Sequence, residues 1–280
     1  MTIWSRVKPR TPGTGNRIRP LAVVTGASSG IGLELAKLFA AADFDLVVAA
    51  EDEQVATVAD GIRASGVEAD AVQVDLATEE GVTRLVQSIG RPVDALALNA
   101  GIGAGGAFVS DEVKETYLQD ELKLIDLNVR STVQLAKLLL PDMVERGRGR
   151  VLFTSSIAST MPGSFQAVYN GSKSFVQSFA LALRNELKDT GVTVTSLMPG
   201  PTETEFFERA DMLDTKVGAG DKDSAADVAR DGFEAMMAGR ESVVSHSVST
   251  KAQGRFDRLL PERLKAQLHR RMAEPGSARR

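Results

Sequence analysis

The chain has 280 residues, of which 43% are hydrophobic and 25% charged, an ordinary composition for a globular protein that excludes a disordered or fibrous one. The absence of cysteine excludes a disulfide, a thiolate nucleophile and an iron-sulfur cluster, and two isolated histidines (His246 and His269) offer little for a zinc site. We therefore expect no metal. The net charge of -4 hides basic ends, with five Lys and Arg and no acid in residues 1–20, and eight against three acids in residues 255–280.

We interpret the basic ends as solvated extensions rather than as surfaces for nucleic acid or an anionic membrane. The first 20 residues lack the apolar stretch of a secretory signal, and no apolar run approaches the roughly 20 residues of a membrane-spanning helix. We expect a cytoplasmic protein without a nucleic-acid partner. Its predicted parts are a flexible N-terminal extension over 1–20, one α/β domain over 21–250 and a basic helical extension over 251–280.

From Leu21 onward, short apolar runs alternate with longer amphipathic segments. The runs are LAVVTGA, DLVVAAE, DAVQVDL, DALALNAG, RVLFTSS, VTVTSLMPG and SVVSHSV. Their length and their Gly, Asp and Asn borders are typical of strands buried on both faces of a parallel sheet, and the segments between them fit crossover helices. The pattern predicts a doubly wound, Rossmann-like parallel sheet of about seven strands.

This alternation ends after Gly200. The acidic, weakly periodic stretch over about 201–225 is long enough to form a substrate lid with its own short helices. Phe206, Phe207 and Met212 within it suggest an apolar substrate, although these residues are equally suited to closing the lid. The basic segment LLPERLKAQLHRRM predicts a helix that caps the substrate side, pairs subunits, touches lipid or is simply solvated.

The first strand runs directly into a glycine-rich turn and a helix, in the segment TGASSGIGLELAKLF. Gly26, Gly30 and Gly32 fall at the turn and the start of the helix. Glycines let a ligand approach the backbone, and the free N–H groups of the helix start favour an anion such as a pyrophosphate. The spacing G-x-x-x-G-x-G differs from the usual dinucleotide fingerprint, but its place between strand and helix predicts a dinucleotide site.

Two acids follow later strands, where the adenosine end of a dinucleotide is expected. Glu51, after the second strand, is placed to accept hydrogen bonds from both ribose hydroxyls and to repel a 2′-phosphate, and no Arg or Lys appears nearby in sequence. We therefore expect NAD to be favoured over NADP. Asp75 ends the third predicted strand, where it either meets the adenine amino group or serves as an ordinary strand-end cap.

Tyr169 and Lys173 are separated by four residues in a segment with a helical apolar stripe, so they share one helix face. A phenol with a pKa of ~10 is a poor base at neutral pH, but a nearby ammonium lowers that pKa. Such a phenol exchanges a proton with an alcohol or carbonyl oxygen while nicotinamide exchanges a hydride. In isolation, a packed tyrosine beside a surface lysine is the better explanation of the pair.

Together these segments resemble the short-chain dehydrogenase/reductase family over about residues 21–248. TGASSGIG resembles its cofactor turn, NAG at 99–101 the motif after its fourth strand, and YNGSK its Y-x-x-x-K motif. The resemblance implies a catalytic set of Asn128, Ser156, Tyr169 and Lys173, with Ser155 as the neighbouring alternative to Ser156.

The resemblance also assigns roles to these residues. Tyr169 is expected to be the general acid/base, Lys173 to lower its pKa and hold the nicotinamide ribose, Ser156 to bind the reacting oxygen, and Asn128 to hold a relay water. Asn99 is expected to brace the sheet first of all. The implied cofactor-binding set is Gly26, Ser28, Ser29, Gly30, Ile31, Gly32, Glu51, Asp75, Leu76, Asn99, Ala100, Gly101, Tyr169, Lys173, Pro199, Gly200, Thr202 and Thr204.

The chain departs from the family pattern at the cofactor-selecting position. Relatives that prefer NADP commonly carry Arg at or near the position of Glu51, and those that prefer NAD often carry Asp one residue earlier, where this chain has Ala50. The predicted function is NAD(P)-dependent hydride transfer between nicotinamide and a secondary alcohol or ketone. The similarity also implies a homodimer or homotetramer, paired through the helices around 122–143 and 168–187.

Three other functions compete with this prediction. A catalytically silent dinucleotide-binding regulator would show a broken catalytic set, and none of the four residues is missing. A serine hydrolase is disfavoured because NGSKS is not a nucleophile-elbow pattern. Nucleic-acid binding depends on the basic ends alone.

Overall fold

The protein is described by a computed structural model over residues 18–109, 115–245 and 260–279. Seven parallel strands form one sheet in the order β3-β2-β1-β4-β5-β6-β7. They are β1 (Leu21–Thr25), β2 (Asp45–Ala50), β3 (Ala69–Gln73), β4 (Ala95–Leu98), β5 (Gly149–Thr154), β6 (Val192–Met198) and β7 (Ser242–Val244). The predicted fold, a Rossmann-like α/β sheet of seven strands, is confirmed.

Helices follow the strands in the alternation that the sequence predicts. They are α1 (Gly30–Ala41), α2 (Gln54–Arg63), α3 (Glu79–Ser88), α4 (Glu115–Ile125), α5 (Ser131–Glu145), α6 (Ala167–Glu186), α7 (Phe206–Arg209), α8 (Lys216–Ala219), α9 (Ala225–Met237) and α10 (Glu262–Ala273). A π-helical segment, Asp126–Arg130, joins α4 to α5. Within the described ranges, no helix has both the length and the apolar character needed to cross a membrane.

Apolar side chains cover both faces of the sheet, because central parallel strands alternate their side chains between two helical layers. Helices α3, α5 and α6 pack on one face, where Leu85, Leu135 and Met143 are fully buried. Helices α1, α2 and α9 pack on the other, around residues such as Phe39. Burial of all residues of β1, β2 and β4 follows directly from this arrangement.

A third apolar cluster lies beside the carboxyl end of the sheet. Phe207, Ala210, Met212 and Ala273 are buried there, with Phe165, Phe206 and Val217 packed against them. These residues come from the segment between β6 and α9, from the loop before α6 and from α10. The C-terminal helix is therefore held against the segment that the sequence suggested as a lid.

Element bounds differ from the sequence interpretation in small ways. The third strand ends at Gln73, so Asp75 lies two residues beyond it. The last strand spans Ser242–Val244, and the remainder of the predicted run, residues 246–248, lies outside the described residues. Most of the N-terminal extension, residues 1–17, and residues 251–259 of the C-terminal extension also lie outside them.

Candidate active site

A cleft of about 300 Å³ lies along the carboxyl ends of the strands. In an open parallel sheet this is the edge where ligands bind, because the strand order reverses there. Every residue of the predicted cofactor-binding set except Gly32 lines this cleft. Of the predicted catalytic set, Ser156, Tyr169 and Lys173 line it, and Asn128 lies behind its surface.

The turn after β1 requires glycine for reasons of space. Gly26 has φ +64°, and a Cβ there would lie 2.9 Å from the Cα of Ala100. A Cβ on Gly32 would collide with the carbonyl oxygen of Gly26. The glycines therefore let α1 begin directly against the end of β4, which explains why Gly32 acts behind the surface of the cleft.

The start of α1 faces the cleft with unsatisfied donors. Ser29 is the N-cap residue, but its side chain makes no capping hydrogen bond. The first N–H groups of a helix have no carbonyl partner within it, and the positive end of the helix dipole is located there. Ser29, Gly30 and Ile31 line the cleft at this point. The turn is therefore suited to a pyrophosphate.

The end of the cleft beside β2 and β3, where the sequence predicts adenosine, is acidic and exposed. Glu51 and Asp75 have side chains that are 44% and 41% exposed. Asp52, which the sequence interpretation missed, also lines the cleft and accepts a 2.7 Å hydrogen bond from the Ser28 hydroxyl. Its only sequence signal was its place beside Glu51. Asp75 accepts a hydrogen bond from the Ala77 N–H at 2.9 Å, so it caps its turn and also lines the cleft.

One premise of the cofactor prediction, that no Arg or Lys lies near Glu51, holds for the neighbouring sequence but not for the folded chain. Lys123 reaches Glu51 from α4. The Lys123 Nζ lies 3.2 Å from a Glu51 oxygen and 3.8 Å from an Asp75 oxygen. Nothing in the local sequence indicated this contact, because 72 residues separate the two side chains of the closer pair.

Tyr169 lies in the first turn of α6 and is 9% exposed. Burial raises the pKa of its phenol to about 12, and a hydrogen bond with the Ser156 side chain offsets part of this rise. Ser156 is placed by β5 and caps the short 3-10 helix Ile157–Thr160, accepting a hydrogen bond from the Ala158 N–H at 3.1 Å. The serine at position 156, and not Ser155, therefore faces the phenol.

Ser155 is a useful contrast, since it is the next residue along the same strand end. Its hydroxyl donates a 3.0 Å hydrogen bond to the backbone oxygen of Lys173, and it is 2% exposed. This contact ties β5 to α6.

Lys173 is buried one turn after Tyr169. Burial lowers the pKa of its ammonium from the ordinary 10.5 to about 8. Its Nζ donates a 3.1 Å hydrogen bond to the backbone oxygen of Thr154 and lies 5.9 Å from the centroid of the Tyr169 ring. The hydrogen bond with Ser156 lowers the phenol pKa in this arrangement, against the larger effect of burial.

Asn128 lies in the π-helical segment, which the sequence interpretation did not predict. Its amide nitrogen donates 2.9 and 3.1 Å hydrogen bonds to the Ile102 carbonyl and the Ser172 hydroxyl, and its oxygen accepts one from the Ile102 N–H at 2.9 Å. Such π-helical turns are frequent at functional sites. Here the turn directs Asn128 between the end of β4 and α6, with direct protein contacts on both sides.

Asn99 joins three strands at the base of the cleft. Its side chain donates to the Thr25 carbonyl at 3.2 Å and accepts from the Thr154 hydroxyl at 3.0 Å. These contacts connect the ends of neighbouring strands, which is the sheet-bracing role that we expected for Asn99 first of all.

The segment after β6 lines the cleft that holds Tyr169. Thr202 is 6% exposed and donates to the Gly200 carbonyl at 2.9 Å, and Thr204 packs against Gly30. The Phe206 ring lies 5.1 Å from the Tyr169 ring, centroid to centroid, and also packs against Gly103. A larger residue at position 103 would collide with this ring.

The far wall of the cleft comes from α10, which the sequence interpretation left open. His269 and Met272 line the cleft beside Gln166 and Phe207. Two side chains anchor the helix: the Lys265 Nζ donates to the Thr160 carbonyl at 3.2 Å, and the His269 Nδ1 lies 3.0 Å from the Ser164 carbonyl. The one sequence signal for His269 was the rarity of histidine in the chain.

A cluster of three or more metal-ligating side chains does not occur in the part of the chain that the structure describes. The donors that do converge on the cleft are hydroxyls, backbone N–H groups and one buried ammonium. These are the donors that suit a dinucleotide and a reacting oxygen.

Comparison with known proteins agrees with this geometry. The family model described as short chain dehydrogenase matches residues 20–213. A short chain dehydrogenase from Pseudocercospora fijiensis is 35% identical over 198 residues, which cover 69% of this chain and 63% of the relative. The chain therefore matches less than two thirds of the length of that relative.

Two solved structures have the same fold. A short-chain dehydrogenase from Sphingobium yanoikuyae in complex with NADPH has a TM-score of 0.73 and 27% identity, covering 80% of this chain and 87% of that one. A short-chain dehydrogenase/reductase from Burkholderia phymatum in complex with NAD has a TM-score of 0.71 and 26% identity, covering 85% and 92%. The chain belongs to the short-chain dehydrogenase family.

Proposed function

We propose that the protein transfers a hydride between nicotinamide and a secondary alcohol or ketone, with Tyr169 as the general acid/base. The observation that carries this proposal is the buried Tyr169 phenol hydrogen-bonded with Ser156, with the Lys173 ammonium one turn away. Nicotinamide, when bound, supplies or accepts the hydride at the reacting carbon.

The protein side of this chemistry concerns the reacting oxygen. In the reductive direction, Tyr169 donates its proton to the oxygen as the carbonyl becomes an alcohol, and it takes the proton back in the oxidative direction. The Ser156 hydroxyl holds the same oxygen in hydrogen-bond range of the phenol. Burial disfavours the phenolate, so Tyr169 holds its proton at neutral pH and is ready to act as an acid.

We assign Lys173 to the nicotinamide ribose and to the stabilisation of the phenolate that forms in turnover. A Cβ on Gly101 would lie 3.2 Å from the Lys173 Nζ and 3.0 Å from the Asn128 oxygen, so the absence of a side chain there leaves room beside both groups. The same assignment includes the predicted proton relay through a water bound to Asn128. Activity measured as a function of pH in an Asn128→Ala variant tests this relay. Its loss should shift the pH at which activity changes, rather than lower activity equally at every pH.

For the cofactor we propose NAD in preference to NADP. Glu51 and Asp52 place two carboxylates at the end of β2, where a 2′-phosphate would be repelled. Lys123 reduces this repulsion because it lies beside Glu51. Solved neighbours are named with either NADPH or NAD, so the fold accepts both, and the choice depends on these side chains.

A fluorescence titration of the purified protein with NADH and, separately, NADPH tests the proposal. We expect both to bind and NADH to bind more tightly. Ketones and secondary alcohols are then screened for turnover with the preferred cofactor. Failure of both cofactors to bind would overturn the proposed function. Cofactor binding without turnover of any substrate would favour the alternative, a catalytically silent dinucleotide-binding regulator.

We further propose a homodimer or homotetramer assembled through the helices around 122–143 and 168–187, which comprise the end of α4, α5 and α6. Large apolar side chains are exposed there: Leu118, Leu122, Ile125 and Phe175 are 41 to 53% exposed. Exposed apolar clusters of this kind mark interfaces. Sedimentation of the wild type and of a Leu122→Asp, Phe175→Asp variant tests the assignment, and a wild-type monomer would contradict it. A cytoplasmic location, the absence of a nucleic-acid partner and the lid over 201–225 remain proposals.

A further inference from the structure

His269 is a buried histidine that the proposed chemistry does not use. It is 5% exposed, lies on α10 and lines the cleft together with Met272. It lies outside residues 20–213, which the family model matches.

One ring nitrogen of His269 is hydrogen-bonded within the protein. Its Nδ1 lies 3.0 Å from the Ser164 backbone oxygen, which only accepts, so Nδ1 carries the hydrogen. Burial lowers the pKa of the imidazole, which keeps the ring neutral at neutral pH. In a neutral ring with hydrogen on Nδ1, Nε2 is a hydrogen-bond acceptor.

The other ring nitrogen has no partner among the described residues. Nor is it one of the fully enclosed side-chain atoms without a partner, so it is open to the cleft that His269 lines. An acceptor in this position is available to a donor that enters with the ligand.

A second acceptor lies nearby. Gln166 is 7% exposed and also lines the cleft, and its amide nitrogen is directed to the Met212 sulfur at 3.0 Å, which leaves its oxygen free to accept. Gln166 is two residues from Ser164, the anchor of His269, and three residues from Tyr169. Both acceptors therefore line the cleft that also holds the Tyr169 phenol.

Apolar side chains line the same cleft: Phe206, Phe207, Val217 and Met272. The segment after β6 also contributes Glu205 and Arg209, which pair with each other. Acceptors among apolar side chains discriminate by hydrogen bonding, because a ligand without the donor leaves the acceptors unpaired.

We propose that His269 is a substrate-binding residue that, with Gln166, accepts a hydrogen bond from a hydroxyl or amide N–H of the substrate, remote from the reacting carbon. The substrate is thus an apolar ketone or alcohol with a second, hydrogen-donating group. This inference rests on the proposed function, since it places the reacting carbon at Tyr169. It gives α10 a role in substrate selection.

The test uses three ketones of one shape: 4-(4-hydroxyphenyl)-2-butanone, its 4-methoxy analogue and 4-phenyl-2-butanone. Their binding to the full-length protein saturated with NAD is measured by isothermal titration calorimetry, because oxidised nicotinamide has no hydride to transfer to a ketone and the complex stays unreacted. We expect the phenolic ketone, the only donor of the three, to bind about 10-fold more tightly than either analogue. Equal binding of all three, or no binding of the phenolic ketone, would overturn the inference.

Two substitutions separate substrate recognition from anchoring of the helix. In His269→Asn the side-chain amide keeps a donor for the Ser164 carbonyl but loses the acceptor that faces the cleft. We expect the preference for the phenolic ketone to disappear in this variant, while NADH binding and Tm stay close to wild type. In His269→Gln, a longer side chain returns an acceptor to the cleft, and we expect part of the preference to return.

Leu268→Ala is the matched control on the same helix, because Leu268 is 37% exposed and does not line the cleft. It should leave the preference unchanged. A preference that survives in His269→Asn would mean that His269 only anchors α10. Failure of the wild-type protein to bind NADH would instead count against the proposed function. Failure of the His269 inference and failure of the proposed function are therefore distinguishable.

Discussion

The two ends of the cleft differ in how deeply their titratable side chains are buried. At the end proposed for nicotinamide, Tyr169 and Lys173 are buried, and burial shifts the pKa of both groups, the phenol to about 12 and the ammonium to about 8. At the end proposed for adenosine, Glu51, Asp75 and Lys123 are all more than 40% exposed, so solvent screens the interactions between them. A charge in the first region therefore has a large effect, and a charge in the second a small one.

This difference separates what each end decides. Buried groups with shifted pKa values suit proton transfer, because the surrounding protein and not water sets their protonation. Exposed carboxylates are suited to the choice between NAD and NADP, because a few-fold difference in affinity between the two cofactors is sufficient for a preference. The substitutions below test this contrast in order of expected effect.

Tyr169→Phe is expected to have the largest effect. Removing the phenol hydroxyl removes the proton donor, and general acid/base catalysis contributes roughly 10²–10⁴-fold. We expect kcat to fall by about 10³-fold or more, with the Kd for NADH within about 2-fold of wild type. Steady-state kinetics on any ketone from the screen and an NADH titration provide the two measurements. Full activity in this variant would remove Tyr169 from the mechanism.

Ser156→Ala should have the next largest effect, with Ser155→Ala as its matched control. Loss of a donor to a reacting oxygen typically costs about 10²–10³-fold in kcat, so we expect a fall of this size in Ser156→Ala. Ser155 makes only a structural contact with Lys173, and its loss should lower stability by about 1 kcal/mol with a much smaller change in kcat. The reverse ranking would show that the neighbouring serine holds the substrate oxygen.

Lys173→Met tests the cost of burying a charge at the nicotinamide end. Below pH 8 the folded protein bears the full cost of the charged lysine. Between pH 8 and 10.5 the unfolded chain alone keeps the proton, so the stability of the wild type rises with pH. One pKa unit corresponds to about 1.4 kcal/mol, so the cost at pH 7 is at most about 3 kcal/mol.

We therefore expect the cofactor-free Lys173→Met protein to be inactive but more stable than wild type at pH 7, with a difference that narrows by pH 9.5. Denaturant unfolding at the two pH values measures it. Lys137→Met, which replaces an exposed lysine on α5, is the control and should show no such pH-dependent gain. A Lys173→Met protein that is less stable than wild type at both pH values would mean that its hydrogen bond to Thr154 outweighs the burial cost.

The sequence was sufficient for the fold and for the residues on the strand ends. Buried strands and amphipathic helices have distinct periodicities, and the turn with Gly26 and Gly32 has a steric requirement that only glycine meets. The family resemblance then placed Ser156, Tyr169 and Lys173 in one region, and the structure brings these three together.

Contacts between distant segments were not predictable in the same way. Lys123 reaches Glu51 across 72 positions, and His269 reaches Ser164 across 105, through an arrangement of helices that no local pattern encodes. The direction of the Tyr169 pKa shift was also missed. The sequence identifies a lysine four residues away, but it does not reveal how deeply both groups are buried.

The smallest expected effects are at the adenosine end, where the substitutions are Glu51→Gln and Lys123→Ala. Removing the carboxylate reduces repulsion of a 2′-phosphate, so Glu51→Gln should shift the ratio of NADPH to NADH affinity toward NADPH by roughly 3- to 10-fold. Removing the ammonium has the opposite sign, and Lys123→Ala should shift the ratio toward NADH by a few-fold. Both shifts should shrink at high salt, because the groups are exposed.

The double variant completes a cycle that measures how strongly the two side chains act through each other. If Lys123 acts only by neutralising Glu51, its removal should matter less once Glu51 is already Gln. If Lys123 also contacts the 2′-phosphate directly, its removal should weaken NADPH binding in the Gln background as well. A Lys123→Ala protein that binds NADPH more tightly relative to NADH would contradict both accounts, because it would mean that the cation blocks the pocket rather than balancing its charge.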